Sequence, residues 1–358
     1  MDIEGKIRLI QAINSLLGTI GIYLGNMAET SVEKKSWAAA GNGDTIRFCH
    51  CARAGIEQMK VMVTYDLCIA WNWEDDADFV ALLDTACRAK KLSLLQITPD
   101  NLDDSLHSLA EQQVGFRAFF DRASEVDTRF MPLVRWVCEH GIYFINSYER
   151  ASRTWDKAVM HWALVNAGLD VPPTIILPAY EEQPILSSID LVSVGERFTI
   201  KPAHGSGGEG VMTQVRSWNQ VLSVRQGHAT DRYLLQAHVV PRELDLRPAW
   251  FRVIYCVGRV YPCWWDPHTH VYTPVTSAER SRHSLGPLYD STVAIARLCG
   301  LDLFSTEIAF TSEGRFVVVD YVNDQIDLRL QSKAIDGVPD DIVYDIVERL
   351  VGQVVVHR

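Results

Sequence analysis

Residues 198–215 read FTIKPAHGSGGEGVMTQV, and Gly205, Gly207 and Gly210 in this stretch spell G-x-G-x-x-G. With Gly208, four glycines fall within six residues. Such a run lets the backbone bend and bring several N–H groups to one anion. The flanks decide which loop it is. Downstream, Val211, Thr213 and Val215 alternate with Met212, Gln214 and Arg216, which is strand period and not helix period. A dinucleotide fold needs a helix there, its N-terminus holding the pyrophosphate. A Walker loop would close on G-K-[ST], which is missing. A protein kinase carries its lysine on the strand after the loop, whereas Lys201 comes before it, and no H-R-D or D-F-G follows. Two readings remain. One is a plain glycine-rich hairpin; the other is a triphosphate loop between two strands, with Lys201 as a point charge for a phosphate oxygen.

If phosphates bind, oxygen ligands for Mg²⁺ are expected elsewhere. Glu307 stands in the apolar run LFSTEIAF and Asp320 in RFVVVDYV, with Asn323 just beyond. Ser312-Glu313-Gly314 turns one run back on the other, which brings the two carboxylates near each other on neighbouring strands. A carboxylate in an apolar strand is costly unless it is paired, metal-bound or on a solvated face.

The rest of the chain reads coarsely as α/β. Residues 61–71 are β-rich and apolar. Residues 78–90 place Phe79, Leu82, Leu83 and Ala86 on one helical face, and 92–97 form a second strand. Strand, helix, strand predicts a small α/β lobe over about 40–145, with 100–140 mostly helical. Helices are expected at 155–167, stopped by Gly168, at 287–299, closed by Gly300, and at 339–351. RYLLQAHVV is a strand leading into a linker, and FRVIYCVGRVYPCWW a hairpin turning at Gly258-Arg259.

Composition bounds the function. The 358 residues are 47% hydrophobic and 22% charged, an ordinary globular balance, with a formal net charge of −11. That charge disfavours a nucleic-acid partner. Eight cysteines without regular spacing read as reduced thiols of a cytoplasmic protein, Cys49-His50-Cys51 among them, rather than as metal ligands. Arg8, Gln11, Asn14 and glycines interrupt the apolar stretch 7–24, so it reads as an amphipathic helix or arm and not a membrane span.

Taken together, NSYERASRTWDK with Lys157, FTIKPAHGSGGEGV with Lys201, LLQAHV, FRVIYCVGRV with Arg252, and STEIAF…FVVVDYVND resemble the ATP-grasp enzymes. The layout is most similar to glutathione synthetase and related carboxylate–amine ligases. The resemblance covers about 145–335 and implies an ATP-grasp fold, two α+β subdomains gripping ATP, preceded by a small α/β domain. The division it implies is an N-terminal helix or arm at 1–40, the preceding domain at 41–147, a lid subdomain at 148–240 and a metal- and ATP-binding subdomain at 241–358. It further implies that Lys157 and Lys201 touch ATP phosphates. His204, Gly205, Ser206, Gly207, Gly208 and Gly210 would form a flexible lid, and Gln236, Ala237, His238 and Val239 would line the adenine. Arg252 would stabilise the transferring phosphoryl group, with Glu307, Asp320 and Asn323 holding Mg²⁺ or Mn²⁺.

The chemistry so implied is ADP-forming ligation of a small-molecule carboxylate to an amine, both amino-acid-like. No nucleic acid or membrane is involved, and a homodimer is compatible with it. Such relatives commonly carry Glu-x-Asn in the last strand. Here Asp320-Tyr321-Val322-Asn323 has one residue more, and on a regular strand its ends face opposite sides, so a bulge is required. Asp324 is the alternative ligand. The same scaffold serves a small-molecule kinase or a non-catalytic ATP-binding regulator, and the register shift motivates the latter. Residues 261–287, rich in Trp, His, Pro and Arg, read as a long substrate loop. In it Arg280 and Arg282 are candidates for a substrate carboxylate. Trp264, Trp265 and Tyr272 read as an apolar wall or as packing, and His268-x-His270 as surface. Asp327 and Arg329 point toward the reaction centre or pair with each other.

Overall fold

The computed structural model describes residues 62–205 and 208–358. The expected N-terminal arm, Cys49-His50-Cys51, Ser206 and Gly207 lie outside the described residues. Among the described residues no helix is long and apolar enough to cross a membrane.

The chain opens with β1 (Val63–Trp71), α1 (Ala77–Ala89), β2 (Leu94–Ile97), α2 (Leu102–Ala110), β3 (Val114–Arg122), α3 (Met131–Glu139) and β4 (Tyr143–Ile145). The strands form a parallel sheet in the order β2-β1-β3-β4. Alternation along β1 sends Leu67 and Ile69 to the core shared with α1, and Cys68 and Ala70 to the core shared with α2 and α3. The expectation of a mostly helical 100–140 is corrected here. β3 is a central strand buried on both faces, so VGFRAFFDR shows no period-two pattern to betray it.

Next come α4 (Tyr148–Trp155) and α5 (Lys157–Asn166). The helix expected at 155–167 is interrupted at its start. Asp156 is extended, and its carboxylate accepts from the Ala158 and Val159 amides at 2.9 and 3.1 Å, capping α5. Then follow β5 (Thr174–Leu177), β6 (Phe198–Pro202), β7 (Met212–Val215), α6 (Trp218–Val224) and β8 (Tyr233–Ala237). The strands make an antiparallel sheet in the order β5-β8-β6-β7. A strand follows the glycine loop, as the alternation predicts.

A short hairpin, β9 (Glu243–Leu244) and β10 (Arg247–Pro248), leads to β11 (Trp250–Cys256), β12 (Arg259–Trp265) and β13 (Tyr272–Pro274). The remaining elements are α7 (Ser277–Arg282), α8 (Gly286–Cys299), β14 (Leu303–Phe310), β15 (Phe316–Asn323) and α9 (Asp340–Val356). The large antiparallel sheet runs β13-β12-β11-β14-β15. Its first hairpin turns at Val257-Gly258 and not at Gly258-Arg259. Cys256 pairs with Arg259, and the two turn residues have φ of 42° and 79°, the left-handed pair a tight hairpin takes. α9 runs past 351, and its Ile342, Val343, Ile346, Val347 and Leu350 share one core with α1 and the large sheet.

The 261–287 stretch is not a loop. It holds the end of β12, all of β13 and α7, and Trp264, Trp265 and Tyr272 are buried packing. His270 stacks on Trp265. A buried ion pair fastens the parallel sheet to the chain leaving β15. Arg122 donates to Asp76 at 2.8 and 2.6 Å and to the Ile326 carbonyl at 3.0 Å.

Candidate functional site

In the small sheet, Lys201 pairs with Leu234, and Thr199 with Gln236. Directly paired residues and those two apart share a face. Phe198, Ile200, Tyr233 and Leu235 therefore fill the subdomain's own core, while Leu234 joins the core of the large sheet. Lys201 and Gln236 lie on that second face. Lys201 is 6% exposed and donates to the Val319 carbonyl at 3.3 Å.

On the large sheet, Arg252 pairs with Glu307, and Glu307 with Asp320, so the three stand in a row across β11, β14 and β15. Arg252 donates to Glu307 at 3.3 Å and to Ser305 Oγ at 3.2 Å, and Trp250 Nε1 donates to the other Glu307 oxygen at 3.0 Å. The register settles the spacing question. Ser305 pairs with Asn323 and Glu307 with Asp320, so two steps on β14 match three on β15. The extra residue is a bulge, and it returns Asn323 to the face of Asp320. A second shift between Glu307 and Ile308 accommodates Val319, whose carbonyl receives Lys201. Thr306 Oγ1 donates to the Asp320 carbonyl at 2.9 Å.

Electrostatics tie these groups together. Burial works to raise the Asp320 carboxyl, but Lys201, Lys157 and Arg252 outweigh it and hold it below the ordinary carboxylate range. Asn323 also favours the Asp320 carboxylate, while its buried Nδ2 makes no hydrogen bond of good geometry. Burial pushes Glu307 up, against Arg252 and with Asp320. Burial lowers Lys201, and Asp320 opposes that. Burial likewise opposes the Arg252 charge, which Tyr272, Glu307, Asp320 and Asp327 more than restore.

Lys157, at the start of α5, donates from Nζ to the Gly205 carbonyl, and its amide donates to the Ala203 carbonyl at 2.8 Å. It thus stands at the root of the glycine loop. His204 is exposed, and Asp231 holds both its amide, at 2.7 Å, and its Nδ1, at 2.9 Å. Gly208 and Gly210 have φ of 78° and 69°. At Gly210 an added Cβ would lie 2.7 Å from His228 Nε2 and 3.1 Å from Pro202 Cγ. Gly210→Ala should cost about 1–2 kcal/mol from the left-handed backbone alone. The readout is a lowered Tm that a second change, His228→Ala, only partly restores. A cavity of about 760 Å³ is bounded by His204, Gly205, Glu209, His228 and Asp231, but Lys201, Glu307 and Asp320 are not among its walls.

The segment expected to line the base begins at Gln236, which shares a sheet face with Lys201. Gln236 is buried, and Ala237 and Val239 are half-buried. The Ala237 amide donates to the Pro173 carbonyl at 2.9 Å, so its N–H is already used. His238 is exposed.

The three expected substrate arginines are engaged by other groups. Arg282 pairs with Asp245 at 3.1 Å, and Arg280 lies over the Tyr289 ring, both exposed on α7. Arg329 is engaged by Asp327 at 2.7 Å and Asp336 at 2.9 Å. Asp324, the alternative ligand, accepts from Asn146 at 2.7 Å. It belongs to a group the sequence reading missed, at the C-terminal end of β3. Asp121 accepts from the Ala123 and Ser124 amides, each at 3.0 Å, and Glu125 from the Gln325 amide at 3.3 Å. Burial raises all three carboxyls, and Asp324 is pushed up to about 7. Reading β3 as a strand would have pointed to them, because crevices form at the carboxyl ends of parallel strands.

No family model and no curated protein matches the chain. Solved structures do. ATP-grasp ligase PsnB, complexed with a minimal precursor, Mg and ADP, is 14% identical with a TM-score of 0.54, covering 82% of this chain and 98% of that one. A RimK domain ATP-grasp protein from Sphaerobacter thermophilus is 18% identical at TM-score 0.56, over 80% and 99% of the two chains. D-alanine–D-alanine ligase from Bacillus anthracis, complexed with ATP, is 12% identical at TM-score 0.55, over 82% and 97%. The chain has the ATP-grasp fold.

Proposed function

We propose that the chain is an ATP- and Mg²⁺-dependent ligase that activates a small-molecule carboxylate as an acylphosphate and joins it to an amine, forming ADP and phosphate. One observation carries this reading. A row of Arg252, Glu307 and Asp320, with Asn323 returned to the same face by the bulge, faces buried Lys201. The bulge favours this reading over a non-catalytic one, since the extra residue does not split the proposed ligand set.

The residues fit the metal. Two carboxylates and an amide oxygen are hard donors. Among the described residues no group of three or more His, Cys, Asp or Glu could hold a metal, but Mg²⁺ usually takes only one or two carboxylates and completes its shell with phosphate and water. Glu307, Asp320 and Asn323 would hold it, and bound there it would neutralise charge on the terminal phosphates. Lys201 and Lys157 bind phosphate oxygens from two directions. Arg252, kept charged by its neighbours, stabilises the phosphoryl group in transit. The glycine loop covers the reacting phosphate and keeps water away.

The amine belongs beside the buried carboxylates Asp121, Glu125 and Asp324. Burial raises all three carboxyls, and an ammonium group beside them would offset that by favouring their charged forms. PsnB is complexed with a precursor, and D-alanine–D-alanine ligase acts on amino acids. Both support amino-acid-like substrates for this chain.

The test is turnover of Mg²⁺-ATP with pooled amino acids, short peptides and small carboxylates, read by mass spectrometry. The expected result is ADP together with a new mass equal to acid plus amine less water. A product that retains phosphate would instead establish a small-molecule kinase.

A further inference from the structure

The residue that lengthens the last-strand motif is Tyr321. The bulge that turns Asp320 and Asn323 one way leaves Tyr321 facing the other, into the contact between the two sheets. It is 1% exposed there. Its hydroxyl meets His161 Nδ1 on α5 at 2.7 Å and Gln236 Nε2 on β8 at 3.0 Å. Gln236 and His161 are themselves buried, at 3% and 4% exposure. Thr174 on β5, whose Oγ1 donates to the Pro172 carbonyl at 2.8 Å, also reaches this hydroxyl, so α5, β8 and β5 converge on one oxygen of β15.

The polarity of the relay follows from its donors. A phenol has one proton to give. Accepting from the Gln236 amide nitrogen, Tyr321 Oη spends its proton on His161 Nδ1, which is then the unprotonated ring nitrogen. Burial lowers the His161 pKa, in keeping with a neutral ring. With Nε2 held by Tyr321, the Gln236 Oε1 becomes the free end of the amide, and it has no hydrogen-bond partner among the described residues. Gln236 shares its sheet face with Lys201. An acceptor at that place complements the exocyclic amino group of a 6-aminopurine and opposes the carbonyl of a 6-oxopurine.

We propose that Tyr321 is a positioning residue that fixes the Gln236 amide with Oε1 toward the base, so that the site prefers a 6-aminopurine nucleotide to a 6-oxopurine one. This rests on the nucleotide-binding reading above. Tyr321 touches no substrate itself; it acts through Gln236, and His161 acts through Tyr321. A buried amide left without its partner turns freely, and either end then meets the base.

The experiment is calorimetric titration of Mg²⁺-ATP and Mg²⁺-GTP into the full chain, with Tm recorded for each protein. Wild type should prefer ATP. Tyr321→Phe should lower the ATP-to-GTP affinity ratio about tenfold, chiefly through weaker ATP binding. His161→Leu should do the same, while His161→Asn, which offers a polar atom near the position of Nδ1, should restore most of the ratio. If Tyr321→Phe does not fold, the His161 pair decides. An unmoved ratio, or equal loss of both nucleotides, would overturn the proposal in favour of a packing role. A wild-type preference for GTP would mean the amide is reversed and would overturn it too. Wild type binding neither nucleotide would remove the nucleotide site itself, and that is seen before any variant is made.

Discussion

Asp320→Asn should reduce Mg²⁺-ATP turnover by about a thousandfold while the chain still folds. Asparagine keeps the size of the side chain and its acceptor oxygen, so the bulge around it survives. It removes the charge. That charge stands next to Glu307 and within the field of the cations Lys201, Lys157 and Arg252, which hold the Asp320 carboxyl below its ordinary range. A hard divalent cation loses one of two carboxylates, and the remaining one, Glu307, is already engaged by Arg252 and Trp250. Rising Mg²⁺ should therefore restore little of the rate. The measurement is turnover over an Mg²⁺ series, with nucleotide binding followed separately. Nucleotide should still bind, because Lys157 and Lys201 are intact. A wild-type rate at ordinary Mg²⁺ would show that Asp320 is no metal ligand.

That pair of carboxylates was legible in the sequence for a physical reason. Glu307 and Asp320 interrupt strands otherwise made of apolar residues, and such an interruption costs free energy unless something binds there. The glycine loop was legible because its flanks alternate. Asn323 was only half legible. The sequence shows that the motif has one residue more, but whether the strand absorbs that residue depends on its pairing with β14, where Thr306 satisfies the Asp320 carbonyl.

What the sequence hid is of two kinds. β3 is covered on both faces, so it lacks the period that marks a half-buried strand, and with it went Asp121 and Glu125. The arginines of α7 are the opposite case. Composition drew attention to Arg280 and Arg282, yet a Thr276–Glu279 capping box closes a short exposed helix there, and Asp245 occupies Arg282. Trp264, Trp265 and Tyr272 read as an apolar wall or as packing, and the pairing of β12 with β11 and β13 buries them.

Lys201→Met should abolish turnover, by about a hundred- to a thousandfold in kcat/KM, and should leave the ligand-free protein at least as stable as wild type. The two halves follow from one fact. Lys201 is 6% exposed, and burial lowers its pKa, so the folded chain holds its charge at a cost. Three cations, Lys157, Lys201 and Arg252, surround the two carboxylates Glu307 and Asp320. Removing Lys201 leaves two against two, so no carboxylate is orphaned and the usual penalty for breaking a buried pair does not apply. Methionine fills the channel the lysine stem occupied, and what is lost is the bond to the Val319 carbonyl, the contact over the Tyr321 ring and one of three cations favouring Asp320. An anionic triphosphate, by contrast, needs the third cation. Calorimetric Tm without nucleotide, alongside turnover and ATP affinity, separates the possibilities. Lost turnover with an equal or higher Tm means that Lys201 is kept for the ligand. A fall in Tm that accounts for the lost activity would make it a structural lysine, and unchanged turnover would remove it from the site.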